Sequence, residues 1–124
     1  MLKKTIKYTD YFGQQREEDF YFNLSKAETI EMEMSIEGGL TAMLKRVIAA
    51  QDNVTLFKVF KEFIMKSYGE KSADGKRFVK IAPDGHKLAE DFVQTEAYSV
   101  LLTELVQDAT VASDFFNAII PNKE

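Results

Sequence analysis

Apolar and polar side chains alternate over the first 24 residues, which is the pattern of a β-strand rather than a helix. Between the two alternating segments lies the sequence DYFGQ, residues 10–14, in which Gly13 can take the positive φ of a turn. The first segment is basic and the second begins with Glu17, Glu18 and Asp19, so opposite charges favour their pairing. The pattern predicts a β-hairpin over residues 1–24. Lys4 interrupts the apolar face and predicts a strand at the edge of the sheet.

From Ser25 onward the apolar period becomes helical. Ser25 and Glu28 form the S-x-x-E pattern of a capping box, and we expect Gly38 and Gly39 to end that helix. Asn53 is the expected cap of a later helix that Gly69 ends. That helix carries the broadest apolar stripe of the chain: Leu56, Phe57, Phe60, Phe63 and Ile64. Residues 25–68 are therefore predicted to be helical.

Residues 69–85 contain three glycines and two Asp-Gly pairs around the segment RFVKIA, residues 77–82. That segment is compatible with a short strand or an ordered loop, and the sequence leaves the choice open. Residues 86–121 return to helical spacing, with short apolar stripes and a closing Pro121. The predicted fold is a single domain, residues 1–124, of the α+β class and mainly α. Its N-terminal β-hairpin packs on a bundle of five or six short helices.

Composition narrows the function classes. The 124 residues are 45% hydrophobic and 29% charged, which is ordinary for a globular domain. The absence of cysteine excludes disulfides, thiol catalysis and cysteine-bound zinc. The chain has one histidine, which excludes sites that need two imidazoles. No apolar run reaches the roughly 18 residues of a membrane span, and the N-terminal MLKKTIKYTD lacks a signal-peptide core, so a cytoplasmic protein is expected.

Charge is unevenly distributed over a chain whose net charge is −4. Residues 54–82 carry seven basic and three acidic side chains, net +4, and residues 83–124 carry two and eight, net −6. In the basic segment, residues 54–82, the basic side chains stand with Tyr68 and Phe78, a combination of basic and aromatic residues that is found in nucleic-acid-binding proteins. Its members are Lys58, Lys61, Lys66, Tyr68, Lys71, Lys76, Arg77, Phe78 and Lys80. The acidic chain argues against nonspecific nucleic-acid binding, and the helical lysines fit the solvated face of an amphipathic helix.

Candidate catalytic and metal-binding residues are few. His86 and Glu90 have the i, i+4 spacing of metal ligands, but no third ligand stands at a useful spacing. The carboxylates of Glu28, Glu31, Glu33 and Glu37 cluster near one helix, where Glu28 has a capping role and the others fit a solvated face. No nucleophile motif or phosphate-binding glycine loop is present. The sequence predicts no enzyme, no cofactor and no metal site.

Four segments carry a family resemblance. They are YTDYFGQQREEDFYFNLSKAE at residues 8–28, YGEKSADGKRFVK at 68–80, FVQTEAYSVLLTEL at 92–105 and FFNAIIP at 115–121. Together they resemble the small tail assembly chaperones of long-tailed phages and prophages of Gram-positive bacteria, over nearly the whole chain. The segment IAPDGHKL, residues 81–88, departs from the family pattern.

The resemblance implies a noncatalytic chaperone that binds the tape measure protein, a long helical chain, and keeps it soluble during tail morphogenesis. It places the protein in the bacterial host cytoplasm and outside the mature virion. The resemblance also raises a longer frameshifted form, and the open edges of the two predicted strands raise a homo-oligomer; the sequence decides neither. Membrane partners are not expected and nucleic acid is disfavoured. Candidate partner-binding residues are Phe20, Phe22, Ile30, Met34, Phe115, Phe116 and Ile119. The alternatives are a structural tail component retained in the virion and a nucleic-acid-binding regulator.

Overall fold

A computed structural model describes residues 1–36, 38–50 and 52–121. Glu37, the last member of the glutamate cluster, lies outside these residues. The described chain contains four strands and six helices, so the predicted α+β, mainly α fold is confirmed. The elements are β1 (Leu2–Thr9), β2 (Gln15–Phe22), α1 (Lys26–Ser35), α2 (Leu40–Ala50), α3 (Asn53–Ser67), β3 (Tyr68–Lys71), β4 (Phe78–Val79), α4 (Leu88–Phe92), α5 (Glu96–Gln107) and α6 (Ala109–Ile119).

The four strands form one antiparallel sheet in the order β1-β2-β3-β4. The predicted hairpin is present, with Leu2 opposite Phe22 and Thr9 opposite Gln15, and Gly13 has φ +80° in its turn. β1 lies at the edge, as Lys4 indicated. Lys4 sits on the core side of β1 and its Nζ lies 3.2 Å from Oε1 of Glu104 in α5, so the interruption of the apolar face is balanced by an ion pair.

Two predicted boundaries are wrong. Asp52, rather than Asn53, caps α3 by accepting a hydrogen bond from the backbone N–H of Val54. Gly69 does not end α3, because the helix stops at Ser67 and Tyr68 already belongs to β3. β3 pairs with β2 and extends the hairpin into a four-stranded sheet, which the two-stranded prediction missed.

Gly69 is required by close packing rather than by a turn. It is buried in β3, and its φ is not among the positive values of the other glycines. A Cβ at this position would lie 2.6 Å from the Val79 carbonyl oxygen and 2.6 Å from Cε2 of Phe78. Because Gly69 has no Cβ, the backbone of β4 and the ring of Phe78 can pack directly against the backbone of β3. The open choice for residues 77–82 resolves into a two-residue strand, Phe78–Val79.

The core is built from aromatic rings between the sheet and the helices. Phe22 of β2 is fully buried, and its ring centroid lies 5.8 Å from that of Phe92 and 5.3 Å from that of Phe115. Phe63 of α3 meets Phe116 edge to face at 4.6 Å. Such pairs add roughly 0.5–1.5 kcal/mol each beyond area burial, so these rings join β2, α3, α4 and α6 into one core.

Candidate partner-binding surfaces

The N-terminus of α1 is fixed by the predicted capping box. The Ser25 hydroxyl accepts from the Glu28 N–H at 3.1 Å, and a Glu28 carboxylate oxygen accepts from the Ser25 N–H at 2.9 Å. The second carboxylate oxygen lies 2.7 Å from Lys80 Nζ, which also donates to the Lys66 carbonyl oxygen at 2.6 Å. Burial raises the pKa of Glu28, but the hydrogen bonds from Lys80 and Ser25 outweigh it and hold that pKa below its ordinary value. Lys80 thus ties α1 to the end of α3.

One face of α1 is apolar and open to solvent. Ile30 is 59% exposed and Met34 is 83% exposed. They stand four residues apart, and Ala27, also exposed, stands three residues before Ile30, so the three lie along one face of the helix. We call Ala27, Ile30 and Met34 the α1 stripe. Thr29 is the only residue of α1 that is buried, and Met32 is partly buried against the core, so the helix packs on the domain through a narrow contact.

A groove of about 490 Å³ is lined by residues of α1, the end of α3 and the segment after β4. Met32, Met65 and Ile81 contribute apolar surface to it, and Ile81 is 59% exposed. Glu31 and Lys87 also line the groove, so its lining contains both a carboxylate and an ammonium group. Methionine side chains adapt to irregular partners.

The seven candidate partner-binding residues separate into two groups. Ile30 and Met34 are exposed on the α1 stripe. Phe20 is partly buried and packs against the core, with its ring centroid 5.1 Å from that of Phe92. The other four are core residues, each at most 4% exposed: Phe22, Phe115, Phe116 and Ile119. The structure therefore brings the seven residues into no common surface.

The hairpin turn carries two exposed aromatic residues that sequence reasoning missed. Phe12 is 90% exposed and Tyr11 is 76% exposed. Asp10 orders the turn, because its carboxylate accepts from the N–H groups of Phe12 and Gln14, each at 2.9 Å, and pairs with Arg16 at 2.5 Å. The hydrogen bonds from Arg16 and Gln14 lower the pKa of Asp10. The sequence feature that could have indicated these exposed side chains is the pair of aromatic residues, Tyr11 and Phe12, directly before the turn glycine Gly13.

The basic segment does not form one uniform cationic face. Lys80 is engaged with Glu28 and the end of α3, and Lys71 Nζ lies 4.6 Å from the centroid of the Tyr21 ring. Tyr68 stacks on Phe92 with centroids 4.5 Å apart, and burial is the main reason that its pKa rises to about 12. Lys58 and Lys61 lie exposed on α3. Of the two aromatic residues named with the basic segment, Tyr68 therefore packs against the core and its stacked face is not available to bind a nucleic-acid base.

His86 is held between two carboxylates. Its Nδ1 lies 2.5 Å from Asp84 and its Nε2 lies 2.8 Å from Asp91, whereas Glu90 accepts through its backbone from Gln94. Hydrogen bonds to Asp91 and Asp84 raise the pKa of His86 to about 9, so the imidazolium form prevails at neutral pH. Within residues 1–36, 38–50 and 52–121, no group of three or more histidine, cysteine or carboxylate residues is placed to hold a metal ion.

Comparison with known proteins identifies the family. The family model described as phage tail assembly chaperone matches residues 1–123. No curated protein and no solved structure matches the chain significantly. Over the described part of the chain, no helix is both long and apolar enough to cross a bilayer. The chain belongs to the phage tail assembly chaperone family, and its role lies in tail assembly inside the host.

Proposed function

We propose that this chain, as a member of the phage tail assembly chaperone family, binds the tape measure protein and keeps it soluble while the tail forms. The proposed client is a long helical chain in a phage or prophage of a Gram-positive host. Binding takes place in the host cytoplasm without a catalytic step, and the chaperone leaves before the virion is complete.

The observation that supports this proposal is the α1 stripe. A soluble domain that carries Ile30 and Met34 four residues apart and largely exposed offers a helical partner a complementary apolar ridge. An unpaired tape measure helix exposes its own apolar stripe and aggregates. Packing the two stripes together removes both from water. This burial favours association by a transfer free energy of roughly 25 cal/mol per Å² of apolar surface buried.

The net charge of the chain opposes self-association through the exposed apolar side chains when no client is bound. The chain carries a net charge of −4, which keeps molecules apart despite the exposed side chains. Lys26 begins α1 and Glu31 and Glu33 follow within the helix, so both signs of charge flank the apolar positions. A client helix with mixed charges beside its apolar stripe suits this border.

The proposal is tested by co-expression with the tape measure protein encoded by the same phage or prophage. The wild-type chaperone should raise the soluble fraction of that protein and co-purify with it. The double variant Ile30→Gln and Met34→Gln keeps good helix formers in α1 and removes the apolar anchors. It should weaken the complex about tenfold, in the range expected when hot-spot side chains are lost.

A matched control separates the α1 stripe from general surface polarity. Val54 is 80% exposed in the first turn of α3, so Val54→Gln removes a comparable apolar surface elsewhere and should leave the complex intact. Failure of the wild-type protein to solubilise or bind the tape measure protein would contradict the proposed function. Stoichiometric amounts of the chain in purified virions would instead favour a retained structural component.

A further inference from the structure

The outer edge of β1 carries backbone groups that no described residue binds. The Asp10 N–H donates to the Gln14 carbonyl oxygen, which makes this a hydrogen-bonded pair at the end of the hairpin. In an antiparallel ladder such pairs alternate with pairs whose backbone groups point away from the partner strand. Counting back through the register, the N–H and C=O groups that point away from β2 belong to Lys3, Thr5, Lys7 and Thr9. No hydrogen bond joins them to another backbone element of the described chain.

The side chains of the same four residues are all exposed and lie on the outer face of the sheet. Lys3 and Lys7 therefore stand beside the open edge, four residues apart. On the β2 side of this face, Glu17 lies opposite Lys7 and Asp19 lies opposite Thr5, whereas Tyr21 lies opposite Lys3. The Thr5 hydroxyl donates to the Asp19 carboxylate at 2.6 Å. Glu17 is thus a precedent for a carboxylate opposite Lys7, and the exposed ammonium groups of Lys3 and Lys7 make carboxylates the complementary side chains on a strand added at the open edge.

We propose that the outer edge of β1 binds an extended segment of a partner protein that carries two carboxylates four residues apart on one face. The segment adds a fifth strand to the sheet through the outward N–H and C=O groups of β1, and its carboxylates lie opposite Lys3 and Lys7. Backbone hydrogen bonds supply the attachment and the charge pairs supply the selectivity. A second copy of the chain fits poorly as the occupant, because two β1 strands side by side would gather lysines from both chains. This site is independent of the α1 stripe and of its client.

The proposal is tested by NMR titration of the full chain with a capped peptide of sequence TEVTVET, whose two glutamates are four residues apart. The backbone amides of Lys3, Thr5, Lys7 and Thr9 should shift on binding. A matched peptide, TKVTVKT, should bind about tenfold more weakly, because like charges opposite each other oppose strand pairing. Raising the salt concentration should weaken the acidic peptide and narrow this difference.

Variants of Thr5 separate backbone pairing from charge. Thr5→Pro removes one outward N–H without touching the ladder to β2 and should weaken binding about tenfold, whereas Thr5→Val loses the same hydroxyl, keeps the N–H and should bind within about twofold of the wild type. If Thr5→Pro fails to fold, a TEVTVET peptide N-methylated on the residues that face β1 tests the same hydrogen bonds with the unaltered protein. Equal binding of both peptides, or no shift in β1, would overturn the proposal, since the lysines would then only block edge pairing. Self-association through β1 would overturn it as well, because a second copy would be the occupant.

Discussion

Replacing Gly69 with alanine tests whether close packing of β3 against β4 builds the extended sheet. Gly69 has no positive φ, so its backbone admits a side chain, and the lower entropy of the unfolded chain alone would stabilise the variant by about 0.4–1 kcal/mol. The structure opposes this gain, because the new Cβ would lie 2.6 Å from a backbone oxygen of Val79 and 2.6 Å from the Phe78 ring. Overpacking of this kind costs about 1–3 kcal/mol, and more where backbone must move.

The net expectation for Gly69→Ala is a loss of about 2 kcal/mol in the free energy of unfolding, after the entropic gain is subtracted from the upper part of the overpacking range. For a domain of this size that corresponds to a fall of roughly 6–10 °C in Tm. Thermal and urea unfolding followed by far-UV circular dichroism measure both quantities. Gly75→Ala is the control, because the φ of +73° at this position strains an alanine while nothing lies within 4 Å of the new Cβ. This variant should lose only about 1 kcal/mol. A Gly69→Ala variant as stable as the wild type would refute the argument.

Three further predictions concern other parts of the fold. NMR titration of His86, the one histidine of the chain, should give a midpoint near 9. Because the fold favours the imidazolium, the contribution of His86 to the free energy of unfolding is complete below about pH 6.5 and is lost as the pH rises through about 9. Asp91→Asn should lower the titration midpoint of His86. A wild-type midpoint near 6.5 would contradict the two ion pairs. Lys80→Met should lower the free energy of unfolding, measured in urea, by about 1 kcal/mol. It should also weaken the protection of the α1 amides from hydrogen exchange. Unchanged protection would show that Lys80 does not hold α1. Phe22→Ala should lower the free energy of unfolding by about 3–5 kcal/mol in the same assay. Phe12→Ala at the exposed turn should change it by no more than about 0.5 kcal/mol. Similar losses in the two variants would contradict the burial of Phe22.

Features encoded within a few residues were predictable from the sequence. The Ser25–Glu28 capping box joins residues three apart, and its hydrogen bonds are present. The positive φ at Gly13 and the edge position signalled by Lys4 likewise follow from the local pattern. In each case the physical cause acts between neighbours in the chain or on one face of one strand.

Features that depend on distant packing were not predictable. β3 spans four residues, too few for an alternation of its own, and β4 spans two residues of segment 77–82, for which the sequence left strand and loop open. Gly69 acts through its distance from Phe78 and Val79. Helical periodicity likewise marks an apolar face without saying what covers it. Phe115 is covered by Phe22 and Phe63, whereas Met34 is covered by nothing described and stays 83% exposed.

Hydrogen exchange of the purified chaperone, with and without its tape measure protein, tests the central claim most directly. The account predicts that amides in residues 26–35 become more protected in the complex, because client packing on the α1 stripe holds α1 against the domain. Amides of α3 around Val54 should keep their exchange rates. Protection elsewhere with none in α1 would contradict the α1 stripe as the client surface, and no change anywhere in the presence of the tape measure protein would contradict the chaperone–client account itself.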